Sequence, residues 1–331
     1  MRFPISLYMS MVGYLTKKKL RGEEQFPLVL MLEPTHRCNL TCAGCGRIRE
    51  YHDTLSQEMT LEECLKAVDE AGAPVVTITG GEPLLYGPVR ELVREVLARK
   101  KHIYFCTNGI LLEESVADFR PTPRFCWNVH FDGTEAVHDQ IIAKPGGFKK
   151  ALAGVMAAKA MGFRVNTNTT VYRETSVSDI EKLFEQLTEA GVDGILVAPG
   201  FSYEDVIRDV FLTRNEIVKK FQQIRKWERR FPIISTPIYM EFLAGNRSLS
   251  CTPWGNPTRN SQGWKSPCYL ITDTHYATFA ELMERTDWDH YSSGQDPRCT
   301  QCMVHCGFEP TVVRQMGGRD LWRMLKWNMY V

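Results

Sequence analysis

The chain has 331 residues, 44% of them hydrophobic and 11% aromatic, enough to bury one large core or two smaller ones. Lysine and arginine total 40 against 39 acidic residues, a net charge of +1, so the overall charge points neither to nucleic acid nor to an acidic substrate. No apolar run reaches the roughly 18 residues of a membrane-spanning helix.

The opening "MRFPISLYMSMVGYLTKKKLRG" places its apolar part before Lys17, Lys18 and Lys19, the reverse of a secretory signal, and lacks a small-residue cleavage site. Residues 1–26 read as an amphipathic extension, a helix lying on something apolar, either its own chain or a membrane surface. From Phe26 to about Arg230, β-rich runs alternate with amphipathic helical stretches. The strands read "FPLVLMLEP", "PVVTITG", "HIYFCTN", "FCWNVHFD", "FRVNTNTTV" and "GVDGILVAP". Between them lie helical patterns such as "TLEECLKAVDEAG", with Thr60 as N-cap and Gly72 as stop, and "VSDIEKLFEQLTEAG". Near-continuous apolar strands joined by helices predict an α/β fold with a parallel sheet. Six units over 27–231 predict a partial (βα)6 TIM-like barrel with its chemistry at the C-terminal strand ends. Residues 232–331, rich in Pro, Gly, Trp and Cys, read as an irregular cysteine-rich C-terminal domain. The tail "LWRMLKWNMYV" repeats the Trp, Met and basic mixture of a docked or interfacial helix.

Eleven cysteines fall mainly into two groups, Cys38, Cys42, Cys45 and Cys251, Cys268, Cys299, Cys302, Cys306, with Cys64, Cys106 and Cys126 apart. Such spacing reads as metal or iron–sulfur ligation in a reducing compartment rather than a disulfide scaffold. In "HRCNLTCAGCGR" the C-x3-C-x2-C run has no fourth cysteine close by. Structural zinc wants four protein ligands, and His36, two residues before Cys38, has an awkward reach. On a four-iron cluster, three thiolates leave one iron for an outside chelator. "GGEP", "TNG" and "HFDG" follow strands 2, 3 and 4, so four consecutive strand exits carry signatures.

This cysteine loop after the first strand of a partial barrel resembles that of the radical S-adenosylmethionine (SAM) enzymes, over about residues 27–230. The resemblance implies a [4Fe–4S] cluster on Cys38, Cys42 and Cys45 whose open iron takes the amino and carboxylate groups of SAM. It implies that Gly80, Gly81, Glu82 and Pro83 receive the methionine ammonium, with Glu82 as acceptor. Asn108 and Asp132 stand where family members bind ribose hydroxyls and neighbouring atoms. Asn166 and Asn168 share one face of strand 5, because the side-chain period is two, and either SAM or a buried structural network can satisfy their amides. One departure is Gly44, where the family often has an aromatic; looser packing over the adenine side is expected.

Beyond the core, "YLTKKKLRGEEQFPLVLMLEPTHRCNLTCAGCGRIREY", "VHFDGTEAVHD" and "CTPWGNPTRNSQGWKSPCYL…RCTQCMVHCGFEP" resemble the hopanoid-biosynthesis radical SAM proteins nearly end to end. That implies addition of the 5′-deoxyadenosyl radical to the terminal alkene of diploptene, a C30 triterpene, with SAM as co-substrate. It also implies an electron-donor protein such as flavodoxin or ferredoxin, no nucleic-acid partner, and a cytoplasmic site with peripheral contact at the inner face of the membrane. The tertiary radical left by addition needs a hydrogen atom. Cys106, on the same strand face as Asn108, is the candidate donor; its other reading is a small buried hydrophobe. Cys251 and Cys268, with Gly263 between, resemble the C-x9–15-G-x4-C element of auxiliary-cluster domains. With Cys299, Cys302 and Cys306 they could hold a second iron–sulfur cluster or a zinc. The same region leaves two alternatives open, a radical SAM peptide-modifying enzyme and a zinc-stabilised interaction module.

Overall fold

The structure, a computed structural model, describes residues 1–46, 50–202 and 209–329. Arg47 at the end of the cysteine motif, and Tyr330 and Val331 of the tail, lie outside the described residues. All six expected strands form: β1 (Val29–Leu32), β2 (Val75–Ile78), β3 (His102–Thr107), β4 (Phe125–His130), β5 (Arg164–Val171) and β6 (Gly194–Pro199). They pair in parallel, each with its chain neighbour. Helices Leu61–Ala71, Val89–Ala98, Gly147–Ala160 and Val177–Glu189 cover the outer face. Phe105, Trp127, Val129, Val165, Ile195 and Val197 are buried in the core that these helices share with the sheet. Leu61–Ala71 begins with a capping box between Thr60 and Glu63 and ends at Gly72 in the left-handed region, φ 61°. Such a cap stabilises a helix by about 1 kcal/mol.

Alternate residues face the lumen. Register stacks them in layers: Tyr104, Cys126 and Arg164 at the bottom, then Cys106, Asn128, Asn166 and Gly194, then His130, Asn168 and Leu196 nearest the C-terminal ends. The side chains that carry the chemistry therefore rise on successive levels of one cavity.

The C-terminal region holds more regular structure than its Pro/Gly-rich texture discloses. Strand β7 (Thr258–Asn260) pairs in parallel with β1, and β8 (Gly263–Pro267) and β9 (Thr272–Tyr276) follow antiparallel. Among the described residues the sheet order is β6-β5-β4-β3-β2-β1-β7-β8-β9. These added strands have 3, 5 and 5 residues, too short to show a period.

The first helix, Ile5–Leu20, crosses the N-terminal ends of the barrel strands, away from the cysteine loop. Ser10 Oγ lies 3.2 Å from His102 Nε2 at the start of β3, and Tyr14 donates to Pro27 O at 2.7 Å. Buried Arg2 donates to Ile233 O, Trp327 O and Glu228 O and lies over the Trp327 ring, joining the start of the chain to the last helix, Gly318–Met329. Both helices keep an exposed apolar side, Ile5, Met9 and Val12 on one and Trp322, Leu325 and Met329 on the other. The contacts of Ser10, Tyr14 and Arg2 dock both ends of the chain on its own body. Among the described residues no helix is long and apolar enough to cross a membrane.

Candidate metal and cofactor site

The site begins with a contact between backbones. Gly81 N donates to Thr35 O at 3.0 Å and Glu82 N to Arg37 O at 2.7 Å, so the exit of β2 is zipped to the segment entering the cysteine loop. A Cβ on Gly80 would stand 2.4 Å from Thr35 O, and one on Gly81 would stand 2.1 Å from Arg37 O. Gly80 also has φ +116°, which side chains rarely adopt. The two glycines bring the backbone close, as expected, but toward the chain's own cysteine loop.

Glu82 carries the linkage on to β3. Its carboxylate is fully buried; Oε1 accepts from Leu84 N at 3.1 Å and Thr107 Oγ1 at 2.9 Å, and Oε2 accepts from Asn108 N at 2.8 Å. Three of roughly four acceptor positions are thus engaged within the chain, and one remains for an ammonium. Burial pushes the Glu82 carboxyl up to about 7, against the pull of these three donors. Pro83 is buried and opens a short 3-10 turn, Pro83–Leu85, in a supporting position. Asn108 closes the circuit: Nδ2 donates to Asn39 Oδ1 at 2.7 Å and lies 4.0 Å from Cys38 Sγ, while Oδ1 accepts from Ile110 N at 3.0 Å. Asn108, which the resemblance places near the ribose, thus also bonds to the cysteine loop.

Within that loop Cys45 N donates to Cys42 O at 3.2 Å, and Ala43 N to Ile141 O at 2.8 Å. Cys38 and Cys42 pack against Leu40, Ile110 and Ile142. Burial drives the Cys38 thiol up to about 11, helped by Glu82 and Cys45 and opposed by the backbone N–H groups of Leu40 and Asn39. Cys42 is pushed up by burial and then by Cys45, Asp132 and Cys38. Cys45 and Glu82 lie near enough to Cys38, and Cys45 and Asp132 near enough to Cys42, for their charges to be felt, and a bound metal cation would favour the thiolate forms. Among the described residues, no three Cys, His, Asp or Glu side chains are drawn together into a single-ion site.

Asp132 is buried beside this loop. Oδ1 stands 2.8 Å from His130 Nε2, an ion pair without hydrogen-bond alignment, and Oδ2 has no hydrogen-bond partner among the described residues. Burial works to lower the His130 pKa, but Asp132 outweighs it and the net shift is upward. Asn166 is fully buried one layer deeper, and neither amide atom has a partner among the described residues. Asn168, half-buried, sits on the same face one layer higher. Orphaned polar atoms at Asp132, whose charge reaches the Cys42 thiol, and at Asn166 in the layer below fit a polar cofactor. Cys106 lies in the Asn166 layer, half-buried, with Asn128 Nδ2 donating to its sulfur at 3.4 Å. Burial raises this thiol to about 11, opposed by the Asn128 hydrogen bond and helped by Glu82. Cys64 and Cys126 are buried, as expected of packing residues.

Gly44 corrects an expectation. A Cβ there would lie 2.8 Å from the Tyr172 ring, so the space is filled from the end of β5 and not loose. Sequence reasoning missed Tyr172, Asn39 and Asn128; only the period-two face shared by Asn128, Cys126 and His130 could have found one of them.

At the other end, Cys251, Cys268, Cys299, Cys302 and Cys306 all line one cavity of about 300 Å³, with Arg214 among its walls. Burial raises the Cys251 thiol well above the ordinary range, and Cys302, Cys268, Cys306 and Cys299 add to the rise. A Cβ on Gly307 would stand 2.5 Å from Cys251 Sγ, and one on Gly263 would stand 2.7 Å from Tyr276 O.

With this geometry in view, the relationships of the chain are informative. The sequence pattern of the Radical SAM superfamily matches residues 32–187, and that of DUF3463, a domain of unknown function, matches residues 195–326. Residues 32–187, just under half of the chain, are thus similar to the radical SAM core. Radical SAM proteins use a [4Fe–4S] cluster and SAM. The AdoMet-dependent heme synthase of Methanosarcina barkeri is 32% identical over 170 residues, 50% of this chain and 48% of that protein. The chain thus spans about half the length of the curated relatives it first matches. Streptococcus suis SuiB bound to its precursor peptide SuiA superposes with TM-score 0.63 at 16% identity, covering 87% of this chain and 69% of that one. The histidine-tagged form of anSMEcpe with bound AdoMet gives TM-score 0.60 at 18% identity, covering 92% and 97%. At these identities the structural likeness shows the fold alone.

The glycine contact yields a direct prediction. Gly81→Ala forces a methyl into the Arg37 carbonyl and should destabilise the protein by about 3 kcal/mol and lower its iron content. Gly87→Ala, in open space, should do neither. Urea denaturation and iron assay of the two variants, purified without oxygen, check this.

Proposed function

We propose that the protein is a radical SAM adenosyltransferase acting on an alkene, an adenosylhopane synthase that joins the 5′-deoxyadenosyl carbon to the terminal alkene of diploptene. The observation that carries this reading is the placement of Cys106 on the lumen face of the barrel, level with Asn128 and Asn166, with Asn128 Nδ2 donating to its sulfur. Chemistry that ends by returning hydrogen to 5′-deoxyadenosine needs no such donor; addition to an alkene does. Diploptene itself is supported by the near end-to-end resemblance to the hopanoid-biosynthesis proteins.

The chain's residues divide the work. Cys38, Cys42 and Cys45 hold the cluster, which when bound supplies the electron that cleaves SAM. Glu82 Oε2 keeps one acceptor position for the methionine ammonium, and Asp132 and Asn166 have polar atoms to offer the ribose or carboxylate. Adding the primary adenosyl radical to the 1,1-disubstituted alkene exchanges a π bond for a σ bond and leaves a tertiary carbon radical. The Cys106 S–H then gives its hydrogen atom to that carbon from a fixed side, setting the stereocentre. The resulting thiyl radical takes one electron from a flavodoxin- or ferredoxin-type donor and one proton from water. Asn128, donating to the sulfur, orients it.

Anaerobic enzyme, SAM, reductant and diploptene should give a product whose mass is that of diploptene plus the adenosyl unit. Cys106→Ala should lower its yield or scramble its new stereocentre; unchanged yield and configuration would remove the donor. The five-cysteine cavity favours a second reading, a peptide-modifying radical SAM enzyme. Free 5′-deoxyadenosine accumulating with peptide and no adenosylated lipid would decide for it.

The same cavity is read as a second iron–sulfur site of structural role, with zinc as its rival. Replacing Cys299 and Cys302 by Ala should lower iron from about eight to about four atoms per chain. An unchanged iron count removes the second cluster.

A substrate this insoluble is drawn from a bilayer, here the cytoplasmic face of the membrane. The exposed apolar sides of the terminal helices, near Lys17, Lys19, Arg319 and Lys326, support peripheral contact. They lie at the barrel end remote from the cysteines, so they would moor the protein without forming the substrate mouth. Wild-type protein should float with anionic liposomes, and Ile5→Ser/Met9→Ser/Trp322→Ser should sediment; equal flotation excludes the contact.

A further inference from the structure

The arm leading away from the cysteines is anchored in the C-terminal region. Lys265 on β8 is 0% exposed, and its Nζ lies 2.9 Å from Glu50 Oε1. Thr272 on β9 donates to the same oxygen. Tyr51 OH lies 3.5 Å from the same Nζ, donates to Glu33 Oε2 at 3.0 Å just beyond β1, and accepts from Asn260 Nδ2 on β7 at 3.3 Å. The imidazole of His36 stacks on the Tyr51 ring, centroids 3.7 Å apart and planes 7° from parallel. Residues on both sides of the cysteine triad, His36 before it and Glu50–Tyr51 after it, therefore meet on one ring. That ring rests on a charged contact with the added strands.

A buried lysine is costly unless paired, and apolar residues of similar volume often stabilise a fold as well as the pair does. What an apolar pair lacks is direction. An ion pair and its hydrogen bonds fix one orientation of the Glu50–Tyr51 arm, the registry use of buried charge.

We propose that Lys265 is a positioning residue for the radical site, clamping the Glu50–Tyr51 arm to the sheet extension so that the disposition of Cys38, Cys42 and Cys45 depends on the C-terminal region. This rests on the radical SAM reading of the core and requires no particular substrate.

The test uses the full chain as Lys265→Met, Lys265→Arg and the double variant Lys265→Met/Glu50→Leu. In cluster-free protein, mass spectrometry follows iodoacetamide alkylation of the peptide carrying Cys38, Cys42 and Cys45, with buried Cys64 as the reference for global opening. In reconstituted protein, electron paramagnetic resonance of the reduced cluster is titrated with SAM. Lys265→Met should speed alkylation of the triad about fivefold with Cys64 unchanged. It should also raise the SAM midpoint about tenfold, the size of a lost outer-shell contact. Lys265→Arg, which keeps the ion pair, should move both less. The double variant should recover its melting temperature and keep both defects. A stable double variant with wild-type alkylation and SAM titration overturns the clamp, even if Lys265→Met alone fails to fold. A wild-type spectrum that does not respond to SAM would sink the radical-site reading instead, and alkylation would still decide the clamp.

Discussion

The whole site depends on two strand exits touching through bare backbone. Because positions 80 and 81 carry no side chain, the turn after β2 lies against the carbonyls of Thr35 and Arg37. The hydrogen bonds formed there set where the cysteine loop departs from β1. From that contact the linkage runs on through Glu82 to Asn108 and back through Asn39 to the residue beside Cys38. Such a closed circuit fixes the entry of the cysteine loop beside Cys38 from the chain's own bonds.

The barrel turns that rim into a reaction vessel by stacking side chains in layers. The outer face is apolar and helix-covered, so every lumen position is free to carry chemistry. Nearest the rim are His130 and Asn168, and below them Cys106, Asn128 and Asn166. Cys106, half-buried, stands in the layer below His130 and Asn168, where Asn128 donates to its sulfur.

The C-terminal region is continuous with the barrel. Its strand β7 pairs with β1, whose end launches the cysteine loop, and the hairpin beyond supplies Lys265, Thr272 and Asn260 to residues on either side of that loop. The five-cysteine cavity belongs to the same region. A metal bound there would brace the strands on which the clamp stands.

The sequence by itself determined the six βα units, the Thr60 cap and Gly72 stop, the lumen face shared by Asn166 and Asn168, and three thiols lacking a fourth. All of these arise from short-range periods and spacings, which a single stretch of chain displays. Tertiary structure alone decided that Tyr172 fills the space over Gly44, that Glu82 and Asn108 bind the cysteine loop, and that Lys265 meets Glu50 across 215 residues. Each of those outcomes depends on which distant segment arrives at a given side chain, and no local pattern encodes the arrival.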